Sequence, residues 1–139
     1  MHFSSSVQIA ASADVIYGLY AQVSDWPAWD PEVERSHVSG PFVAGATGTL
    51  KPRGGPESKI ELIEVTPGKS FTVRCKLPFC EMTFGHELEQ TAGLTTATHS
   101  VSFTGPLAVV FGFLIGRGIE RTLPATMNGL KRAAENGQG

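Results

Sequence analysis

The sequence predicts an α+β domain in which a seven-stranded, curved antiparallel sheet packs against one long C-terminal helix. Three observations carry that prediction. Between Val33 and Thr104 the segments SGPFVAG, KPRGGPE, TPGK, LPFC and TAGL interrupt runs of about six to ten residues, the punctuation of an antiparallel meander. After Gly105-Pro106, the apolar positions Leu107, Val110, Phe111, Leu114, Ile115, Ile119, Leu123, Met127, Leu130 and Ala134 recur at three and four, so one helix is expected over most of 107–135. The sheet has an apolar face to cover, and only that helix is long enough to cover it.

The elements follow in order. FSSSVQIAA alternates Phe3, Ser5, Val7 and Ile9 against mostly polar neighbours, which suits a first strand. Ser12 can cap a helix over roughly 13–23, with Asp14 near its positive end and Val15, Ile16, Leu19, Tyr20 and Val23 as its apolar stripe. In SDWPAWDP, Asp25 is expected to cap a second, very short helix with Pro27 in its first turn and Pro31 closing it. About six more strands come next, then the long helix, which Pro124 should bend rather than end because the stripe continues beyond it. The residues NGQG are expected to fray. All 139 residues are assigned to one domain.

Composition narrows the function. With 41% hydrophobic and 17% charged residues the chain should be globular. A net charge of -2, with no Lys/Arg cluster, argues against a nucleic-acid surface. The longest apolar run, LAVVFGFLIG, is far short of the roughly 18 residues of a spanning helix, and the N-terminus shows no leader pattern. A cytoplasmic protein is expected, with Cys75 and Cys80 as reduced thiols and no cofactor.

Turn arithmetic sets the register of the central strands. With TAGL as a hairpin turn, Thr91 faces Leu94, so His86 lies opposite His99, Leu88 opposite Ala97 and Phe84 opposite Val101. A turn at LPFC pairs Phe71 with His86, Val73 with Phe84 and Cys75 with Met82. A turn at TPGK puts Leu62 opposite Val73 and Glu64 opposite Phe71. One row then reads Glu64, Phe71, His86, His99, unless a bulge near the turn moves Glu64 outward, with Arg74, Lys76, Glu87, Glu89, Ser100 and Ser102 on the outer face. The histidines are open to several readings: hydrogen-bonded core residues, polar anchors orienting a carbonyl or hydroxyl of a ligand, or a general base beside a hydrogen-bond donor. A metal site is not expected, because Phe71 holds Glu64 about 10 Å from His86.

Taken together, ADVIYGLYAQVSDWPAWDPEV, LIEVTPGKSFTV, GHELEQ…THSVSFTGPLAVVFG and LPATMNGLKRAAE resemble the START-like (SRPBCC) superfamily, and within it the polyketide cyclase/dehydrase and lipid-transport proteins. The resemblance implies a helix-grip fold with an internal cavity for an apolar ligand. It implies no single reaction, since members include carriers, receptors and enzymes. The expected cavity wall comprises Leu62, Phe71, Val73, Cys75, Met82, Phe84, His86, His99, Val101 and Phe103 from the sheet, and Phe111 and Ile115 from the helix. Trp26 and Trp29 either plug the sheet's end against the first helix or rim the pocket. His86 and His99 are the catalytic candidates if chemistry occurs.

Binding or transport of a small hydrophobic molecule is therefore the first expectation, a cyclase/dehydratase using the two histidines the second, and a protein-interaction domain using the lid helix the third. Tyr17 and Tyr20 are expected on a partly exposed helix face, the alternative being that a hydroxyl reaches the cavity. Gly112, Gly116 and Gly118 serve either close packing or a soft entrance through PLAVVFGFLIG, which could then touch a membrane transiently. A monomer or homodimer is expected.

Overall fold

A computed structural model of the chain describes residues 1–137. Strand β1 (His2–Ile9) leads into α1 (Ala13–Ala21) and a 3-10 helix (Val23–Ala28). Strands β2 (Val33–Val38), β3 (Thr47–Pro52), β4 (Ser58–Thr66), β5 (Ser70–Leu77), β6 (Cys80–Thr91) and β7 (Leu94–Thr104) follow, and all seven form one antiparallel sheet ordered β1-β7-β6-β5-β4-β3-β2. The helical C-terminus begins as α2 (Ala108–Phe111), passes through a π-helical turn (Gly112–Gly116) and continues as α3 (Arg117–Gly137). Asn136 and Gly137 thus belong to α3, while 138–139 lie outside the described residues.

Local chemistry explains most boundaries. Ser12 accepts a hydrogen bond from the Val15 amide at 3.2 Å, capping α1 as its position suggested. The second short helix starts earlier than expected: it runs from Val23, where Gln22 provides no side-chain cap, and Asp25 sits inside its first turn. That early start ends α1 at Ala21. Pro124 lies within α3 without ending it, since its missing amide removes one bond from a helix already held by Leu123, Met127, Leu130 and Ala134.

The glycines around the π-turn show why the chain uses them. A Cβ on Gly112 would run into the Met1 side chain, and one on Gly116 would come within 2.6 Å of the Phe3 ring and 3.0 Å of Phe103. Close packing is the reason at both positions. Gly118 meets nothing within 4 Å and has no such reason.

The core divides into two clusters. One gathers Tyr20, Trp26, Trp29, Leu62, Phe71, Val73, Leu88, Met127 and Leu130 with their neighbours. The other holds Cys75, Cys80, Met82, Val101 and Phe103 beneath Phe111, Ile115 and Ile119. Phe84 touches both. On the helix, buried Leu123 falls between the residues that join the first cluster and those that join the second.

Candidate functional site

The site is built on the β6–β7 hairpin. Thr91 pairs with Leu94 around a turn in which Ala92 and Gly93 take left-handed backbone angles, φ 50 and 86°. Every later pair follows from it: Leu88 with Ala97, His86 with His99, Phe84 with Val101. Across β5 the pairs are Phe71 with His86, Val73 with Phe84 and Cys75 with Met82. The row Phe71, His86, His99 therefore exists, and it faces the helices.

Glu64 is not in that row. The β4–β5 turn spans one residue more than expected, so Thr66 pairs with Ser70, and a bulge between Leu62 and Glu64 restores Leu62 opposite Val73. Val65 takes the place opposite Phe71, and Glu64 pairs with Thr72 on the outer side. There its carboxylate accepts from Thr66, Ser70 and Thr72 hydroxyls at 2.6, 2.9 and 3.2 Å, bonds that hold it below its ordinary pKa against the opposing effect of burial.

Tyr20 supplies the polar contact that Glu64 does not. Contrary to the expected half-exposed helix face, it is 0% exposed, and its hydroxyl is joined to His99 Nε2 by a 2.7 Å hydrogen bond. The spacing of Tyr20 four residues after Ile16, on the inner stripe of α1, was the available signal. Around Tyr20 the rings close in: Phe71 at 4.9 Å between centroids, His86 and His99 both at 5.6 Å, Trp29 at 6.1 Å. His86 stacks on Phe71 at 3.8 Å with 5° between planes and meets His99 edge-on at 4.5 Å. Tyr17 stays half-buried against Phe42.

Burial dominates the electrostatics. It pushes the His86 pKa down to about 4, partly opposed by hydrogen bonds to the Phe71 and Phe84 carbonyls. His99, 5% exposed, is held well below the usual imidazole range by burial and then by His86. Burial likewise raises the Tyr20 phenol. Near neutral pH all three are uncharged.

The remaining expected wall residues divide by exposure. Leu62, Val73, Cys75, Met82, Val101 and Phe103 are buried, whereas Phe84, His86, Phe111 and Ile115 are only half-buried. Trp26 and Trp29 are both buried; Trp26 donates its indole N–H to the Tyr20 carbonyl of α1 at 3.0 Å and lies 6.0 Å between centroids from Phe71. The indole N–H of Trp29 has no partner among the described residues. Its backbone carbonyl lies close against α3, for a Cβ on Gly129 would collide with it. Two open grooves of about 300 and 220 Å³ lie elsewhere, the first beside Lys69, Glu87 and Thr96, the second between Gln22, Asp25 and Gly40. Among the described residues no three His, Cys, Asp or Glu side chains converge on a metal position, and no helix is long and apolar enough to cross a membrane.

Solved structures share this architecture. The ZhuI aromatase/cyclase of Streptomyces sp. R1128 superposes with a TM-score of 0.77 at 18% identity, covering 97% of this chain and 93% of that one. The Aha1 dimer of Colwellia psychrerythraea gives 0.71 at 19%, covering 100% and 99%. The di-domain aromatase/cyclase BexL, from the BE-7585A biosynthetic pathway, gives 0.73 at 16% over 95% of this chain, which spans only 45% of that longer one. These likenesses establish a helix-grip fold. No curated protein matches the chain in sequence. The family model for polyketide cyclase/dehydrase and lipid-transport proteins matches residues 1–135, and the chain belongs to that family.

Proposed function

We propose that this protein binds a small hydrophobic ligand between the sheet and the C-terminal helix, at the seam between its two core clusters. One observation carries the reading. In the middle of β6, Phe84 and His86 face the helices yet stay half-buried, while the inward residues on either side of them, Met82 and Leu88, are closed off. A sheet packed only for stability would seal its centre first. The half-buried Phe111 and Ile115 lie on the helical side of the same region, against the cluster that Phe84 shares. Leu62, Phe71, Val73, Cys75, Met82, Val101 and Phe103 form the apolar surround, with Trp26 packed beside Phe71 and Trp29 beside Tyr20. Native mass spectrometry of freshly purified protein is expected to show one apolar molecule per chain; a protein that stays empty against a broad library of hydrophobic compounds overturns the reading.

A second reading, turnover of a polyketone inside the same space, is favoured by the hydrogen-bonded Tyr20–His99 pair lying directly beside His86. It assigns proton transfer to His86 and His99. Under it, His86→Ala and His99→Ala abolish turnover with the fold intact. Equal losses of binding and rate would instead mark both as anchors.

A further inference from the structure

Two separate elements bring bare apolar side chains together on the outside of the molecule. The β5–β6 turn pairs Leu77 with Cys80 and leaves Pro78 and Phe79 at its tip, where Phe79 takes a left-handed φ of 54° and is 76% exposed. That turn position ordinarily goes to glycine, so an aromatic residue held there against its backbone preference, with its ring in solvent, points to a task outside folding. The turn is fastened to the start of the C-terminal helix. The Leu107 amide donates to the Phe79 carbonyl at 3.1 Å, and Gly105, at φ 108°, leaves room for that carbonyl, which a Cβ would approach to 2.9 Å. Phe79 therefore sits in one frame with α2 and the π-turn.

Those helical turns are apolar on both sides. Phe111 and Ile115 cover the second core cluster, while Val109, Val110, Phe113 and Leu114 are exposed. A helix apolar all round ordinarily lies buried all round. The segment GPLAVVFGFLIG, 105–116, contains no side chain that donates or accepts a hydrogen bond, and in LPFC only the buried Cys80 thiol does. A protein partner would ask for such groups, since its interfaces carry about one hydrogen bond per 100–200 Å², whereas the acyl boundary of a bilayer asks for none. The amides of Leu107, Ala108, Phe111 and Gly112 are already paired. The charged residues next along the chain are Lys76 and Glu81 at the turn and Arg117, Glu120 and Arg121 on the helix. Glu81 lies 4.0 Å from Arg74, and Arg117 rests 4.9 Å over the Phe113 ring, so the cations Lys76, Arg117 and Arg121 prevail beside the patch on a chain of net charge -2. That local excess suits anionic headgroups.

We propose that this surface docks the protein on an anionic lipid bilayer, with Phe79, Val109, Val110, Phe113 and Leu114 entering the boundary between headgroups and acyl chains and Lys76 and Arg117 meeting the lipid phosphates. The docking stands apart from the binding reading above, because none of these residues belongs to the wall described there.

Cosedimentation with vesicles tests this. The protein is expected to pellet with vesicles of phosphatidylcholine and phosphatidylserine, more weakly with phosphatidylcholine alone, and less as salt is added. Phe79→Gly and Leu114→Ser are each expected to weaken the partition about tenfold or more, the scale of one large apolar side chain withdrawn from the boundary. Thermal melts separate docking from folding: Phe79→Gly relieves the turn, so its melting temperature should hold or rise while its vesicle binding falls. Arg117→Gln should lower binding to the anionic vesicles only. No pelleting with either vesicle overturns the proposal, as does binding that neither Phe79→Gly nor Leu114→Ser changes. Sedimentation velocity supplies the remaining arm, since a dimer that Leu114→Ser dissociates would assign the patch to a second copy of the chain and overturn the lipid assignment.

Discussion

Two imidazoles 4.5 Å apart in an apolar interior resist protonation together, and that resistance is a property of folding as much as of the site. The unfolded chain takes up a proton at each of the two as pH falls through about 6.5, while folded His86 waits until about 4 and folded His99 is likewise held well below the usual imidazole range. Their contribution to stability is therefore complete above the unfolded value and is lost as pH falls from about 6.5 towards 4, by at most about 3 kcal/mol for His86. Urea unfolding across that interval should show the decline, and His86→Asn should flatten it. Tyr20→Phe strands His99 Nε2 in the interior and is expected to cost about 1–3 kcal/mol by the same assay. The histidine pair was legible because period-two alternation and one short turn determine it. Glu64 was misplaced because a single extra turn residue, corrected by a bulge two residues on, leaves no mark on hydrophobic alternation. Tyr20 had the right spacing, but its hydroxyl made an exposed face look natural; only the partner at His99 makes the buried position tolerable.

Among the elements, the C-terminal helix tests the reading best. Its glycines have distinct tasks: Gly118→Ala meets open space and should raise stability by up to about 1 kcal/mol, whereas Gly129→Ala collides with the Trp29 carbonyl and should cost roughly 1–3 kcal/mol. Thermal melts of the two variants should move in opposite directions. The sequence singled out the glycines of the apolar segment and passed over Gly129, whose partner lies a hundred residues away and is a backbone atom. Burial is also uneven along the helix: α2 has no buried residue, the π-turn buries only Gly112 and Gly116, and α3 buries Leu123, Thr126, Met127, Leu130 and Ala134. Amide hydrogen exchange should accordingly be faster over 108–116 than over 126–134. Equal protection would mean that the apolar segment is no looser than the rest.

At the scale of the molecule, the strand count, the antiparallel order and the long final helix were readable because each rests on a local pattern repeated over many residues. The partition of the core into two clusters was not, because it depends on which helix residues descend onto which strands, a matter of distance and angle with no periodic signature. The same holds for the exposed apolar surface of Val109, Val110, Phe113 and Leu114, with Arg117 lying 4.9 Å over the Phe113 ring: the helical stripe assigned Val110 and Leu114 to the interior, and the π-turn rotates the chain away from that register. Thr126 also binds Asp30 at 2.9 Å, one turn before Gly129 meets Trp29, so α3 is fastened to the loop after the 3-10 helix by a hydrogen bond and a backbone contact within the same stretch. That fastening ties the middle of α3 to the loop that carries Trp29, so the side chain that packs beside Tyr20 and His99 and the helix that covers the sheet are held in one frame.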